Sequence, residues 1–314
     1  MAILRFSPKA CLVVLAGLVV ILAGCDTAST ADPKPDADAA APLLCNGRAD
    51  LCNRRLDQVA LASTHNAMSA ADWQFFLPNQ PHDLITQLDD GIRGMLLDIH
   101  LPGEFVTEVP ADTALLCHAN CVLGWRDLAV ELGRIKTWLD AHPREVLVWV
   151  LEDSAPIAAI DAALTKSGLQ DYCLHGQKTG TPLPTLQAMI SSGRRILVML
   201  ESGREDFPWA HGYQTLGQDN PYSAKNVDEF SCERLRGKAG NPILNINHFL
   251  TTDDLTPRQE HGKVANAKDV LFAHVLKCQQ QFGQLPNLVS VDWYTEGELL
   301  ELVDALNDSF VAKP

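Results

Sequence analysis

Histidine, asparagine and carboxylate side chains follow several apolar runs of this chain, each at the point where the run ends. Two histidines among carboxylates suit general acid–base catalysis, because an imidazole exchanges a proton near neutral pH. Amide and carboxylate oxygens suit a hard cation such as calcium. The residues at these positions are His65 and Asn66, Asp98 and His100, His118, Glu152 and Asp153, Glu201, Asn247 and His248, and Asp292.

A purely structural role is also compatible with several of these residues. His65 and Asn66 could form a turn in which the asparagine bonds to nearby backbone and the histidine packs. Helix capping or loop hydrogen bonding would equally account for Glu201, Asn247 and His248. The sequence contains no Gly-x-Ser-x-Gly elbow and no glycine-rich phosphate loop with lysine, which argues against a serine esterase and a nucleotide-binding enzyme.

The apolar runs predict seven strands whose carboxyl ends carry these polar residues, with amphipathic helices between them. Alternating strands and helices in about 270 residues predict an α/β fold, a TIM-type (β/α)8 barrel, which keeps its chemistry at the carboxyl ends of its strands. An eighth strand has only a weak candidate, residues 169–174, so an irregular or incomplete barrel stays open, and an open doubly wound sheet is the second choice. The predicted strands cover residues 58–63, 95–97, 114–117, 146–151, 196–200, 243–246 and 288–291.

The N-terminal region has the composition of an export signal and a tether. Two basic residues precede an apolar run that ends in Leu22-Ala23-Gly24-Cys25, which predicts an export signal over residues 1–24. The ending resembles a bacterial lipobox, and this resemblance implies a lipoprotein with lipid attached to Cys25. An uncleaved anchor helix is the alternative. Residues 25–42 are poor in large apolar side chains and predict a flexible tether. The catalytic domain is then residues 43–314, exported and anchored to the bacterial envelope, in either membrane, or at the cell surface.

The charge balance disfavours nucleic acid as a partner. The formal net charge is −14, and removal of Arg5 and Lys9 with the signal leaves 23 basic against 39 acidic residues. A chain this acidic is a poor binder of nucleic acid. We expect a monomer.

Seven cysteines remain after Cys11 and Cys25 are assigned to the signal and the lipid site. In an exported protein they favour disulfides. Proximity predicts the pairs Cys45–Cys52 and Cys117–Cys121, elimination predicts Cys232–Cys278, and Cys173 would stay free. A metal site at residues 117–121 is the competing interpretation.

Several motifs resemble the X region of phosphatidylinositol-specific phospholipase C. They are T-H-N-A-M at 64–68, Q-L-D-D-G-I-R-G-M-L-L-D at 87–98, L-C-H at 116–118 and H-P-R-E-V through Glu152 at 142–152. The stretches P-N-L-V-S-V-D-W-Y at 286–294 and F-L-P-N-Q at 76–80 resemble the single-domain branch of that family. The resemblance runs from about residue 45 to residue 307.

The resemblance implies a lipid phosphodiesterase that acts without an enzyme nucleophile. The inositol 2-hydroxyl attacks its own phosphodiester, releasing diacylglycerol and a cyclic inositol phosphate. By motif, His65 would stabilise the phosphoryl oxygens and help to deprotonate that hydroxyl. His118 would protonate the departing glycerol oxygen, and Asp292 would orient His65. Asn66, Asp98 and Glu152 match three ligands of the calcium-dependent members, so Ca²⁺ is the expected cofactor and a phospholipid the expected substrate.

Two positions depart from the family pattern. Calcium-dependent members have a further glutamate where this chain has Leu96, and metal-independent members have an arginine where it has His100. A protonated His100 could replace that arginine. Because both sources of positive charge are incomplete, two alternatives stay open: a glycerophosphodiester hydrolase on the same barrel, and a catalytically weak head-group binding module.

Overall fold

The computed structural model describes residues 43–104, 106–178 and 180–310. The predicted signal peptide, Cys25 and the tether lie outside these residues. Within them, no helix is long and apolar enough to cross a membrane.

Eight parallel strands form one continuous curved sheet. Neighbouring strands follow the order β7-β6-β5-β2-β1-β11-β10-β8, the short strand β9 adds to β8 in antiparallel direction, and a β3–β4 hairpin pairs with β2. The strands are β1 Leu61–Thr64, β2 Gly94–His100, β3 Leu115–Leu116, β4 Arg126–Asp127, β5 Leu147–Asp153, β6 Ile196–Leu200, β7 Ala210–Gly212, β8 Gly217–Asp219, β9 Arg236–Gly237, β10 Ile243–Asn247 and β11 Leu288–Val291.

Helices connect these strands and cover the outside of the sheet. The α-helices are α1 Leu84–Asp89, α2 Leu128–Ala141, α3 Ile157–Ser167, α4 Leu186–Ser192, α5 Tyr213–Leu216, α6 Gln259–Ala265, α7 Lys268–Phe282 and α8 Leu299–Ser309. Single 3-10 turns span Leu56–Gln58, Ala71–Trp73, Cys121–Leu123, Gln170–Tyr172 and Val227–Glu229. Side chains of Asp83 and Asp127 accept hydrogen bonds from the first turns of α1 and α2, which fixes where these helices begin.

Most residues of the central strands are buried on both faces, as expected for a parallel sheet covered by helices. One face packs under the helices around Trp149, Leu132 and Leu271. The other fills the barrel interior with side chains such as Val148 and Leu197. The core therefore holds the strand ends in place, and these ends carry the polar residues.

The barrel is of the TIM type but incomplete, because β7 and β8 do not pair with each other. Only the four-residue helix α5 separates these strands, whereas neighbouring parallel strands need a crossover of about a dozen residues. Side chains bridge the opening instead. Arg236 on β9 contacts Glu201 after β6 at 2.6 Å and the buried Asp219 of β8 at 2.8 Å.

The barrel and six of its seven predicted strands are confirmed. The predicted barrel strand at 114–117 is wrong. This run contributes only the two residues of β3, which pair antiparallel with β2 at the edge of the barrel mouth. The weak eighth candidate at 169–174 is also wrong, because Gln170–Tyr172 forms a 3-10 turn. The two parallel strands that the sequence did not predict are β7 and β8. Each has three residues, which is too short to produce a recognisable period in the sequence.

The cysteines pair as predicted, in three disulfides. Cys173 is free and buried. The Cys117–Cys121 bridge excludes the competing metal site at residues 117–121, and it closes the loop that carries His118.

Candidate active site

His65 and Asp292 lie side by side because their strands are neighbours. Thr64 of β1 is in register with Val291 of β11, so the next residue of each strand emerges at the same edge. Nδ1 of His65 is 2.9 Å from Oδ1 of Asp292, and Nδ2 of Asn79 donates to the other carboxylate oxygen at 3.1 Å. The carboxylate favours a proton on Nδ1, which leaves Nε2 of His65 to act in the pocket.

The aromatic ring of Phe249 stacks on the His65 ring. The two rings stack with centroids 3.6 Å apart and an interplanar angle of 2°. Phe249 directly follows the predicted pair Asn247 and His248, and its side chain is buried. This contact was not predictable from the sequence, because a phenylalanine after a strand carries no signal that separates a functional role from packing.

His118 reaches the site from the loop between β3 and β4. Its Nε2 lies 3.2 Å from the Asn66 side-chain amide, and Nε2 of His65 lies 3.3 Å from the same amide atom. Burial lowers the pKa of His118 to about 4, with a further contribution from the neighbouring His65. The two imidazoles converge on one point. Because of its lowered pKa, His118 is neutral near pH 7 when no anion is beside it.

Carboxylates collect on the opposite side of the pocket. Asp98 of β2 is in register with Glu152 of β5, and Glu201 follows β6, the next strand. Burial raises the pKa of Asp98 well above its ordinary value, and the charges of Glu152 and Glu201 raise it further. Burial also raises the pKa of Glu201, whereas Arg236 opposes this shift. A cluster of this kind is costly unless a proton or a cation compensates it.

The orientation of the Asn66 amide determines whether Asp98 needs a cation beside it. With its amide nitrogen toward Asp98, Asn66 donates to the two carboxylate oxygens at 3.1 and 3.2 Å and its oxygen faces the two histidines. With its oxygen toward Asp98, three oxygens meet at those same distances, which only a shared cation or proton makes favourable. Asn66, Asp98 and Glu152 thus form an oxygen-rich group of the kind that calcium accepts.

Leu96 and His100 occupy the same face of β2 as Asp98. Leu96 lines the pocket with an apolar side chain, so no further carboxylate is present at that point. Burial lowers the pKa of His100, which disfavours the protonated imidazole that would replace an arginine. Its Nε2 is buried and has no hydrogen-bond partner among the described residues.

Arg236 brings a permanent positive charge to the pocket, beside Tyr222 and Glu201. Its guanidinium lies 5.3 Å from the centre of the Tyr222 ring. Arg236 was not among the predicted site residues, because it stands in a two-residue strand within an irregular stretch. Only the pairing of β9 with β8 turns it toward the barrel mouth.

His248 has a different environment from the other histidines of the strand ends. It is fully buried, its Nε2 is 2.8 Å from the carbonyl oxygen of Ala265, and its Nδ1 is 2.8 Å from Nδ1 of His274. Asn247 lines the pocket, but its amide donates to the carbonyl of Asn220 at 2.8 Å. These contacts give both residues a structural role behind the site.

Comparison with known proteins identifies the family of this chain. The profile of the family described as PI-PLC X 1 matches residues 51–307. The chain belongs to this PI-PLC X family. A PI-PLC X domain-containing protein 1 from Arthroderma benhamiae is 27% identical over 84% of this chain and 90% of its own length. An uncharacterized secreted protein of the same fungus is 26% identical over 88% of this chain and 66% of its own length.

A solved structure shares the fold of this PI-PLC X chain. The phosphatidylinositol-specific phospholipase C from Listeria monocytogenes superimposes with a TM-score of 0.55 and 16% identity, covering 82% of this chain and 94% of its own. At this identity the similarity establishes the architecture alone. The pocket at the carboxyl ends of the strands is where a barrel of this type binds its ligand.

Proposed function

We propose that this protein is a phosphodiesterase that cleaves phosphatidylinositol or a related glycerophospholipid by attack of the inositol 2-hydroxyl. Membership of the PI-PLC X family supports a phosphodiesterase-type function on lipids. The observation that carries the proposal is the convergence of His65 and His118, whose Nε2 atoms lie 3.3 and 3.2 Å from one atom of the Asn66 side chain. One base and one acid are what this reaction needs.

The proposed reaction transfers one proton at each end of the phosphodiester. Nε2 of His65 accepts the proton of the 2-hydroxyl as its oxygen bonds to phosphorus. The bond from phosphorus to the glycerol oxygen breaks, and His118 gives its proton to that oxygen. The products are diacylglycerol and a cyclic inositol phosphate. His118 is neutral in the free protein, and the negative phosphate stabilises its imidazolium form when the substrate binds.

Positive charge at the phosphate comes from two sources in this proposal. Bound Ca²⁺ would stabilise negative charge on the phosphoryl oxygens, and Asn66, Asp98 and Glu152 would hold it. Arg236 supplies a permanent charge in the same pocket. The role of a protonated His100 in place of an arginine stays a prediction, and the lowered pKa of His100 restricts it to acidic pH.

Product analysis tests the proposed function. The purified protein is incubated with mixed micelles of phosphatidylinositol, with calcium or with chelator, and the products are followed by phosphorus NMR. We expect a cyclic phosphate signal that decreases by about 10²- to 10⁴-fold in rate in His65→Ala and His118→Ala, the usual contribution of a general acid or base. His82→Ala, at an exposed histidine, is the matched control.

The same experiment distinguishes the alternatives. An open phosphomonoester as the first product would assign the protein to glycerophosphodiester hydrolases, which use water as the nucleophile. Absence of turnover in folded protein, together with binding to the micelles, would assign it to lipid-binding modules.

Export and lipid attachment form a separate part of the proposal. The relative named as a secreted protein supports export of this chain. Acylation of Cys25 is supported only by the sequence around it. Metabolic labelling with a fatty acid in a bacterial host, compared with Cys25→Ser, tests it, and equal labelling of the two proteins would contradict it.

A further inference from the structure

We propose that His100 is a nitrogen ligand of the cation site and that the site therefore selects a borderline divalent metal, Mn²⁺ or Zn²⁺, over Ca²⁺. The inference rests on the proposed function for the use of the site, and it replaces Ca²⁺ in that proposal by a borderline metal. Its ligand assignment rests on the geometry of β2 and β5 alone.

The strands bring one nitrogen and two carboxylates together. Asp98 and His100 are two residues apart on β2, so they lie on the same face of the strand. Asp98 is directly in register with Glu152 of β5. One ligand atom from each of the three residues lies within 4.8 Å of the others. A single ion can therefore contact all three after small rotations of the side chains.

One of these groups lacks what burial requires. Nε2 of His100 has no hydrogen-bond partner among the described residues, although it is shielded from water. Leaving a buried polar atom unpaired is unfavourable. Asp98 is only 6% exposed, and it accepts hydrogen bonds at 3.1 and 3.2 Å when the amide nitrogen of Asn66 faces it. A metal between Asp98 and Glu152 would give Nε2 of His100 the partner that it lacks.

The donor set determines which metal is favoured. Calcium takes 6–8 oxygen ligands. Leu96 occupies the position from which a further carboxylate would reach the ion. An imidazole nitrogen suits Zn²⁺ and other transition metals, and carboxylates also suit Mn²⁺. Three protein ligands with open positions for water or a phosphate oxygen match a catalytic zinc site. His100 therefore changes which metal ion the site prefers, and it does not merely replace the charge of an arginine.

Binding of the metal alone tests the inference without any turnover. Mn²⁺ is titrated into the metal-free protein at pH 7 and followed by electron paramagnetic resonance, with pulsed measurements to detect coupling to a ¹⁴N nucleus. We expect a ¹⁴N signal from the native protein and from His82→Gln. In His100→Gln the signal should disappear, and the affinities for Mn²⁺ and Zn²⁺ should fall by about 10- to 100-fold or more, since even outer-shell changes have this effect. The affinity for Ca²⁺ should remain the same.

Three results of the binding measurements would overturn the inference. They are an unchanged Mn²⁺ affinity in His100→Gln, the absence of ¹⁴N coupling in the native protein, and Mn²⁺ binding that survives in Asp98→Asn with Glu152→Gln. Circular dichroism of each variant, together with the second substitution His100→Asn, shows whether a loss of metal binding comes from misfolding. Cleavage of phosphatidylinositol that persists without any metal binding would overturn this inference and leave the proposed function intact.

Discussion

His65 is held by two contacts to its ring and one to its backbone. Asp292 accepts from Nδ1, Phe249 stacks on the face of the ring, and the backbone carbonyl of His65 accepts from Gln80 at 2.7 Å. A general base works well only when its ring is fixed relative to the proton that it takes. The residues around His65 are therefore as informative as the histidine itself.

Replacing Phe249 should reduce catalysis without unfolding the protein. A stacked aromatic pair contributes about 0.5–1.5 kcal/mol, so Phe249→Leu should lower kcat by roughly 3- to 10-fold. Phe249→Tyr keeps the stacked ring and should keep the rate. Equal kcat values in Phe249→Leu and the native protein would show that the stack only fills space.

Leu96 offers a gain-of-function test of the carboxylate cluster. Leu96→Glu places a second carboxylate on the face of β2 that carries Asp98, so the affinity for Ca²⁺ should rise by at least about tenfold. Without a cation the same variant should be less stable than Leu96→Gln, because like charges would be crowded in a buried site. Calorimetric titration and thermal melting measure these effects. Similar Ca²⁺ affinities in the two variants would argue against cation binding at this face.

At the scale of elements, the short β7–α5–β8 segment explains why the barrel stays open and why Arg236 is needed. The two ends of the sheet cannot exchange backbone hydrogen bonds, so the Glu201–Arg236–Asp219 contacts connect them. The β3–β4 hairpin has a similar supporting role. It is too short to extend the barrel, and its pairing with β2 and the Cys117–Cys121 bridge carry His118 to the mouth.

Removing the charge of Arg236 should destabilise the whole barrel. Asp219 is fully buried, and an uncompensated buried charge costs about 3–5 kcal/mol. We expect Arg236→Gln to lower the free energy of unfolding in urea by about that amount. The exposed pair Lys268–Glu301 provides the control, and Lys268→Gln should cost less than about 1 kcal/mol. A cost for Arg236→Gln no larger than the control would mean that the opening needs no bridge.

At the scale of the molecule, stability should decrease in mild acid because of buried neutral histidines. Burial lowers the pKa of His248 to about 3 and that of His274 to about 4, whereas the ordinary value is near 6.5. The unfolded chain therefore binds these protons at higher pH than the folded chain. The free energy of unfolding should fall as the pH decreases from about 6.5 to 4, by at least about 2 kcal/mol for the two histidines together.

Urea unfolding between pH 4 and pH 7 checks this dependence. The raised pKa of Asp98 acts in the opposite direction, so the native protein is compared with His274→Gln, which leaves Asp98 unchanged. We expect a shallower pH dependence in His274→Gln and an unaltered one in His82→Gln. The same slope in all three proteins would exclude the buried histidine pair as its cause.

Sequence patterns and tertiary contacts determined different parts of this protein. Strands with buried apolar runs were predictable, since local hydrophobicity alone marks them. His65 and Asp292 follow β1 and β11 as predicted, whereas Asp98 and Glu152 lie within β2 and β5, near the carboxyl ends of these strands. Cysteine spacing likewise predicted two of the disulfides, and elimination predicted the third.

The tertiary structure decided what depends on contacts between distant segments. Arg236, Phe249 and the β7–β8 opening have no local signature, because each becomes significant only through a neighbour far away in the chain. The same is true of His100. Its position after a strand is visible in the sequence, but its burial beside Asp98 and Glu152 follows from the register of β2 against β5.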